Sequence, residues 1–322
     1  MDYNTTNAPV SPINLNIIFM PILIILSSLG TVVNGLVIVT ILRVKRLHKT
    51  YNVFVLNLAF ADIIVTGIYG AFLIHSSYKG GWTLGHTFCV FLAVVVSSSV
   101  MVSNICMTFI GLNRYCLIVR GVPTSRRIFT PLNTGLMLLL SWMWGLVFIV
   151  PPLVGFGELG YNEGLNACMF VPTDKLSSQG YLVLLAFGII IPQFVTLYCY
   201  VKIFLVVRAA RLKVQQETTG QPGGPDKGRR KADIKLTKDL FVMYGVFCFC
   251  TIPYAIAQAM DGNQEIIPTY VHSLIGVSMW SNSVWNPMIL SLRNKEFKLA
   301  MRKSLTLSTI DEQSVSVESR PS

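Results

Sequence analysis

Residues 50–78 read TYNVFVLNLAFADIIVTGIYGAFLIHSSY, and Asp62 is the one charged side chain in that stretch. At about 1.5 Å of rise per residue, a helix of this length crosses the roughly 30 Å hydrocarbon core of a bilayer. A helix also satisfies its own backbone where no water is present to do so. Outward from here, charge-free stretches of the same kind recur between Asp2 and Arg43, Lys79 and Arg114, Arg127 and Glu158, Lys175 and Lys202, Asp239 and Asp261, and Glu265 and Arg293. Each is rich in Leu, Ile, Val, Phe and Met. The sequence therefore predicts an all-α membrane protein, a seven-transmembrane helix bundle with spans near residues 15–42, 52–76, 86–118, 130–154, 180–208, 236–260 and 267–292.

Composition agrees. The 322 residues are 52% hydrophobic and 13% charged, against about 25% charged in soluble domains, which excludes a soluble enzyme. A transmembrane barrel is excluded too, because its strands alternate in roughly ten-residue segments. The net charge of +11 has a topological meaning: 24 of the 26 Lys and Arg residues fall in alternate connections and the tail, leaving Lys79 and Lys175 on the other side. Since the positive excess marks the cytoplasm, residues 1–14 are expected outside the cell and the carboxyl terminus inside. The charge reports topology and lipid contact, with no nucleic-acid partner.

The first apolar run, about Ile13 to Leu42, is too long for a cleaved signal peptide and should remain as the first span. Asn4-Thr5-Thr6 is a glycosylation sequon in the outer segment. Residues 214–232, with Gly220, Pro222, Gly223, Gly224, Pro225 and Gly228, read as a flexible cytoplasmic linker, and the polar tail 304–322 as disordered. No internal repeat is visible, which weighs against most transporter architectures. Of seven cysteines, Cys106, Cys199, Cys248 and Cys250 lie within spans and Cys116 at a cytoplasmic end. Cys89 and Cys168 alone face an oxidising compartment, so they are the expected disulfide pair.

Motifs along the spans carry a family resemblance. They are Asn34-Gly35 in span one, Leu58-Ala59-Phe60-Ala61-Asp62 in span two, Asn113-Arg114-Tyr115 closing span three, and Trp142 with Pro152 in span four. Span five has Pro192 and Tyr200, span six Phe247, Cys250 and Pro253, and span seven Asn286-Pro287, followed by Phe297 on a short basic segment. In this order and spacing the chain resembles the rhodopsin-like (class A) G-protein-coupled receptors over all its helices. The resemblance implies a short amphipathic helix eight at 293–303. It also implies coupling to a heterotrimeric G protein, with an arrestin and a receptor kinase as possible partners of Ser304, Thr306, Ser308, Thr309, Ser314, Ser316 and Ser319 in the tail.

Asp62 is the lone carboxylate expected in the membrane core, where a charge costs about 2.5–3.5 kcal/mol on insertion scales, so it needs a polar interior. The resemblance supplies Ser103, Asn282, Ser283 and Asn286, which in relatives coordinate a sodium ion with Asp62. It makes Arg114 the pivot of coupling, flanked by Asn113 and Tyr115, with Tyr200, Asn286 and Pro287 in the activation relay. Asn113 replaces the family's usual Asp, and Asp233 stands where relatives often hold an acid that restrains the arginine. Two further departures are Thr251, in place of a span-six tryptophan, and Leu290, in place of the tyrosine that ends the span-seven motif. Tyr200 is thereby deprived of its usual hydroxyl partner.

For the ligand, the position of the amine receptors' Asp, eighteen residues before Arg114, is Val96. The opsins' lysine position, seven residues before Pro287, is Trp280, so no retinal Schiff base is expected there. Pro151 to Gly157 still resembles opsins, and Asn113-Arg114-Tyr115 melatonin receptors, which places the chain loosely near that branch. A pocket facing Val96, Val100, Thr251, Tyr254, Gln258 and Trp280 would be apolar with few polar anchors, suited to a small neutral or lipophilic ligand. A constitutively active, ligand-free receptor is the main competing reading. A channel or transporter would need polar lines through several spans, and an enzyme a catalytic set at membrane depth. His75, His86 and His272 are all expected near the outer surface and His48 inside, without metal spacing.

Overall fold

The structure, a computed structural model, describes residues 15–163, 166–173, 175–216, 225–261, 266–294 and 297–304. The sequon at Asn4, residues 1–14 and the tail beyond Ser304 lie outside the described residues. The helices are α1 (Leu15–Arg43), α2 (Thr50–Ile63), α3 (Gly70–Lys79), α4 (His86–Tyr115), α5 (Val122–Ile128), α6 (Pro131–Val147), α7 (Val150–Leu153), α8 (Lys175–Gln216), α9 (Pro225–Asp261) and α10 (Thr269–Arg293). Residues 297–304 form a last helical segment, α11.

These make seven rods. A π-helical turn over Ile64–Tyr69 joins α2 to α3 into one rod, and a second over Cys116–Arg120 extends α4. Five described segments are by themselves long and apolar enough to cross a membrane. The other two rods are α6, which is short because the chain breaks at Phe148 and Ile149 before Pro151-Pro152, and α10, whose inner face carries Ser281, Asn282, Ser283 and Asn286. Lipid-facing positions are apolar, as in Leu132, Leu139, Phe187, Phe204 and Phe249, because a bilayer gives no reason to hide them.

The rods pack through small residues. An added Cβ on Gly145 of α6 would stand 2.7 Å from the Ser98 carbonyl oxygen of α4, and the hydroxyl of Ser141, one turn before, is fully buried. Such positions let backbones approach closely where no hydrophobic force drives helices together. The main core occupies the end of the bundle that includes Arg114 and α11, with Phe54, Met107, Ile110, Phe247, Leu290 and Phe297. In α11, Phe297, Ala300 and Ser304 are buried while Leu299, Arg302 and Lys303 are exposed, so the amphipathic pattern is present. The Asn294 side chain caps it, accepting from the Phe297 N–H at 3.2 Å.

The helical bundle carries one feature that the sequence did not show: β1 (Glu158–Asn162) and β2 (Ala167–Val171) form an antiparallel hairpin, with Tyr161 opposite Cys168. Neither strand is long enough to announce itself by alternation, and packing on α4 holds the pair in place. The linker at 214–232 is shorter than expected, since α8 runs on to Gln216 and α9 begins at Pro225, a residue favoured at a helix start. Within the expected fourth span, 130–154, the helix divides between α6 and α7.

Candidate functional site

Cys89 and Cys168 are bonded, with their Cα atoms 5.2 Å apart. This ties β2 to the start of α4, and the Tyr69 hydroxyl adds a hydrogen bond to the Cys168 carbonyl at 3.2 Å. The hairpin is thereby held across the mouth of the bundle. Beneath it lies a cavity of about 260 Å³. All six residues expected to face a ligand, Val96, Val100, Thr251, Tyr254, Gln258 and Trp280, line it together.

The walls are apolar for a physical reason. The polar groups around the cavity are largely spent on the protein: Trp280 Nε1 donates to the Val65 carbonyl (3.3 Å), the Tyr181 hydroxyl to the Phe148 carbonyl (2.9 Å) and the Thr251 hydroxyl to the Phe247 carbonyl (2.8 Å). Gln258 is hydrogen-bonded to Tyr254. No Asp, Glu, Lys, Arg or His lines the cavity among the described residues. Sequence reasoning missed Tyr69, Tyr181, Met169 and Phe170 as lining residues. The signal for the last two was available, since they directly follow a cysteine pinned to the bundle.

Asp62 is fully buried, and three of the four residues that the resemblance assigns to it, Ser103, Ser283 and Asn286, bond it. Ser103 Oγ donates to its Oδ1 at 3.0 Å and Asn286 Nδ2 to its Oδ2 at 3.4 Å, and the Ser283 side chain bonds it as well. Asn34 Nδ2 donates to the Ser283 carbonyl at 2.8 Å and so staples α1 to α10. Buried Oδ1 atoms of Asn282 and Asn286 have no hydrogen-bond partner among the described residues. An oxygen-rich shell with one carboxylate and two unused carbonyl oxygens fits a hard monovalent cation.

At the other end of α4 the Arg114 guanidinium is not snorkelling. It is 2% exposed and its carbon lies 3.8 Å from the centre of the Tyr51 ring, a cation–π stack that the sequence did not reveal. Asn113 beside it is buried, and the Tyr115 ring lies 6.1 Å from that of Tyr198. The Tyr200 hydroxyl is buried without a hydrogen-bond partner among the described residues, its ring 5.6 Å from those of Tyr244 and Phe241, while Leu290 is buried in the core. Pro287 lies inside α10, one residue after Asn286. Asp233 lies in α9, but its side chain is outside the described residues. An unanticipated ion pair joins α9 to the last residue of α10, with Arg293 Nε 3.1 Å from Asp239 Oδ1.

Residues 33–290 match the family model described as 7 transmembrane receptor (rhodopsin family). The chain belongs to that family: it is a multi-pass membrane receptor, and not an enzyme. It is 28% identical over 292 residues to the zebrafish (Danio rerio) melatonin receptor type 1B-B, covering 89% of this chain and 81% of that receptor. It is 28% identical over 289 residues to the human melatonin receptor type 1B, covering 88% of this chain and 77% of that one. Among solved structures, squid rhodopsin superposes with a TM-score of 0.75 at 22% identity, covering 91% of this chain and 87% of the rhodopsin, a likeness of fold.

Proposed function

We propose that this receptor takes a small neutral or lipophilic ligand from the extracellular side and answers by a helix rearrangement that engages a heterotrimeric G protein. The observation that carries the reading is the cavity under the disulfide-pinned hairpin, lined by all six expected residues and, among the described residues, free of charged side chains. Charged ligands would find no counter-ion on its walls, whereas an apolar body gains about 25 cal/mol for each Å² it buries. Arg114, held on Tyr51 and shielded from solvent, is the group that helix movement would release toward the G protein.

The positive-inside count supports an extracellular amino terminus. The oxygen shell of Asp62, Ser103, Asn282, Ser283 and Asn286 supports an allosteric sodium site, and a bound ion there would neutralise the buried carboxylate. Asp233 would restrain Arg114 at rest.

Transfected cells test the reading through basal and stimulated cAMP, calcium and arrestin recruitment, with Arg114→Ala as the control. Because relatives are named melatonin receptors, melatonin is the first probe, followed by a panel of neutral and cationic lipophiles. A response to a neutral lipophile that Arg114→Ala abolishes is expected. Responses confined to charged, water-soluble molecules, or a signal indifferent to Arg114, would overturn it.

A further inference from the structure

Asp261 and His272 are both buried, at 5% and 3% exposure, yet neither lines the cavity. They face each other across the connection between α9, which ends at Asp261, and α10, which begins at Thr269. Asp261 Oδ2 gathers three donors: the Ile266 N–H at 3.1 Å, the Ile267 N–H at 2.6 Å and His272 Nε2 at 3.2 Å. The carboxylate thus pins the returning chain and the first turn of α10 to the end of α9.

An ionised carboxylate only accepts, so a neutral His272 carries its ring proton on Nε2. This is the one hydrogen bond of the ring among the described residues, which leaves Nδ1 to take a second proton. Imidazole is the side chain that gains charge in the mildly acidic range, and a charged N–H···O⁻ bond is roughly twice as strong as a neutral one.

The neighbouring elements bring other groups, and each has its own place. The first helix, which packs on α10, has no ionisable side chain from Leu15 to Leu42. On α3, His75 is bonded to the Thr83 hydroxyl at 3.0 Å and Lys79 lies over the Tyr78 ring. From α8 comes the uncharged Gln179, which donates to the Ala259 carbonyl near the end of α9. Two turns below Asp261, Tyr254 is bonded to Gln258, and Tyr270 of α10 is exposed. The side chains of Lys175 and Glu265 lie outside the described residues.

The pair is next to the ligand cavity. Gln258, three residues before Asp261, and Ser273 and Gly276, which follow His272, line it. Drawing α9 and α10 together here bears on two walls of the chamber and favours the described arrangement, in which Arg114 is shielded. We propose that Asp261 and His272 form a proton-operated clasp on the ligand side of the receptor: an external proton taken up by His272 tightens α9 on α10 and holds the receptor at rest. This rests on the receptor reading, which gives the clasp something to regulate and places it outside the cell.

His272→Gln is the deciding variant, because the glutamine amide nitrogen can stand where Nε2 does and never takes a charge. Basal cAMP and calcium signals are followed in transfected cells at matched surface expression, with the external medium at about pH 8 and about pH 6. The wild-type signal is expected to fall about fivefold on acidification, the equivalent of a charge-assisted hydrogen bond gained over a neutral one. His272→Gln should hold its alkaline level at both values, while His75→Gln and His86→Gln respond as wild type. In the purified full-length receptor, hydrogen exchange at the Ile266 and Ile267 amides, corrected for its intrinsic pH dependence, should slow by about fivefold in acid for wild type and not for His272→Gln. A wild-type signal that ignores external pH, a normal pH response in His272→Gln, its loss in His75→Gln or His86→Gln, or exchange at Ile266 and Ile267 indifferent to acid would each overturn the clasp. Exchange needs no signalling, so failure of the receptor reading would appear separately, as a signal unaffected by Arg114→Ala.

Discussion

The side-chain amide of Asn104 donates to the carbonyl of Gly188 at 3.3 Å, the carbonyl that Pro192, lacking an N–H, leaves without its helical donor. The same amide reaches the Ile189 carbonyl at 3.1 Å, and Gln193 Nε2 returns a hydrogen bond to Asn104 Oδ1 at 2.6 Å. Thr108 donates to the Pro192 carbonyl and Tyr244 to that of Gln193, so α4, α8 and α9 meet in one buried polar cluster.

Replacing Asn104 by Leu leaves two buried carbonyls and the Gln193 amide without their partner. A loss of about 1–3 kcal/mol is expected, seen as a lower unfolding midpoint of the purified receptor. A wild-type midpoint in Asn104→Leu would show that α8 around Pro192 is held by packing alone.

Asp239 and Arg293 tie α9 to the last residue of α10. Because half of Arg293 is exposed, the pair is worth at most about 1 kcal/mol, or roughly fivefold in a two-state equilibrium. Asp239→Asn should therefore raise basal signalling by a few-fold at matched surface expression. The double reversal Asp239→Arg with Arg293→Asp should return it toward wild type, and failure to do so would assign the effect to something other than the ion pair.

Cys168→Ala should cost about 2–4 kcal/mol through the cross-link and free the hairpin from the cavity mouth. Reduced surface expression and loss of the response to any ligand found for the wild type are expected, and Cys89→Ala should behave alike. If Cys168→Ala responded normally, the hairpin would not be holding Met169 and Phe170 over the ligand.

Gly145→Ala forces a methyl to within about 3 Å of the α4 backbone at Ser98, where no flexible side chain can yield. Separation of α4 and α6 should cost about 1–3 kcal/mol, and an unfolding midpoint for Gly145→Ala equal to wild type would show that the helices separate without penalty.

Much of the site was legible because a membrane imposes rules that act residue by residue. Asp62 announced itself as the lone acid in a span, and the family resemblance marked Val96, Thr251 and Trp280 as positions where relatives hold ligand or switch residues. Tyr51 under Arg114, Asp239 beside Arg293 and Asn104 at Gly188 were not legible. Each is a contact between residues tens to hundreds of positions apart, made by polar or aromatic types that occur throughout such chains, with no spacing to mark the partner.

The amino-acid sequence by itself determined seven spans and the cysteine pair that closes the mouth of the bundle, because hydrocarbon thickness and backbone satisfaction are local tests. Tertiary structure decided how deep the cavity runs, which carbonyls Asn104 satisfies and what shields Arg114. Those follow from how closely small residues such as Gly145 let the helices approach, a distance set by both surfaces at once.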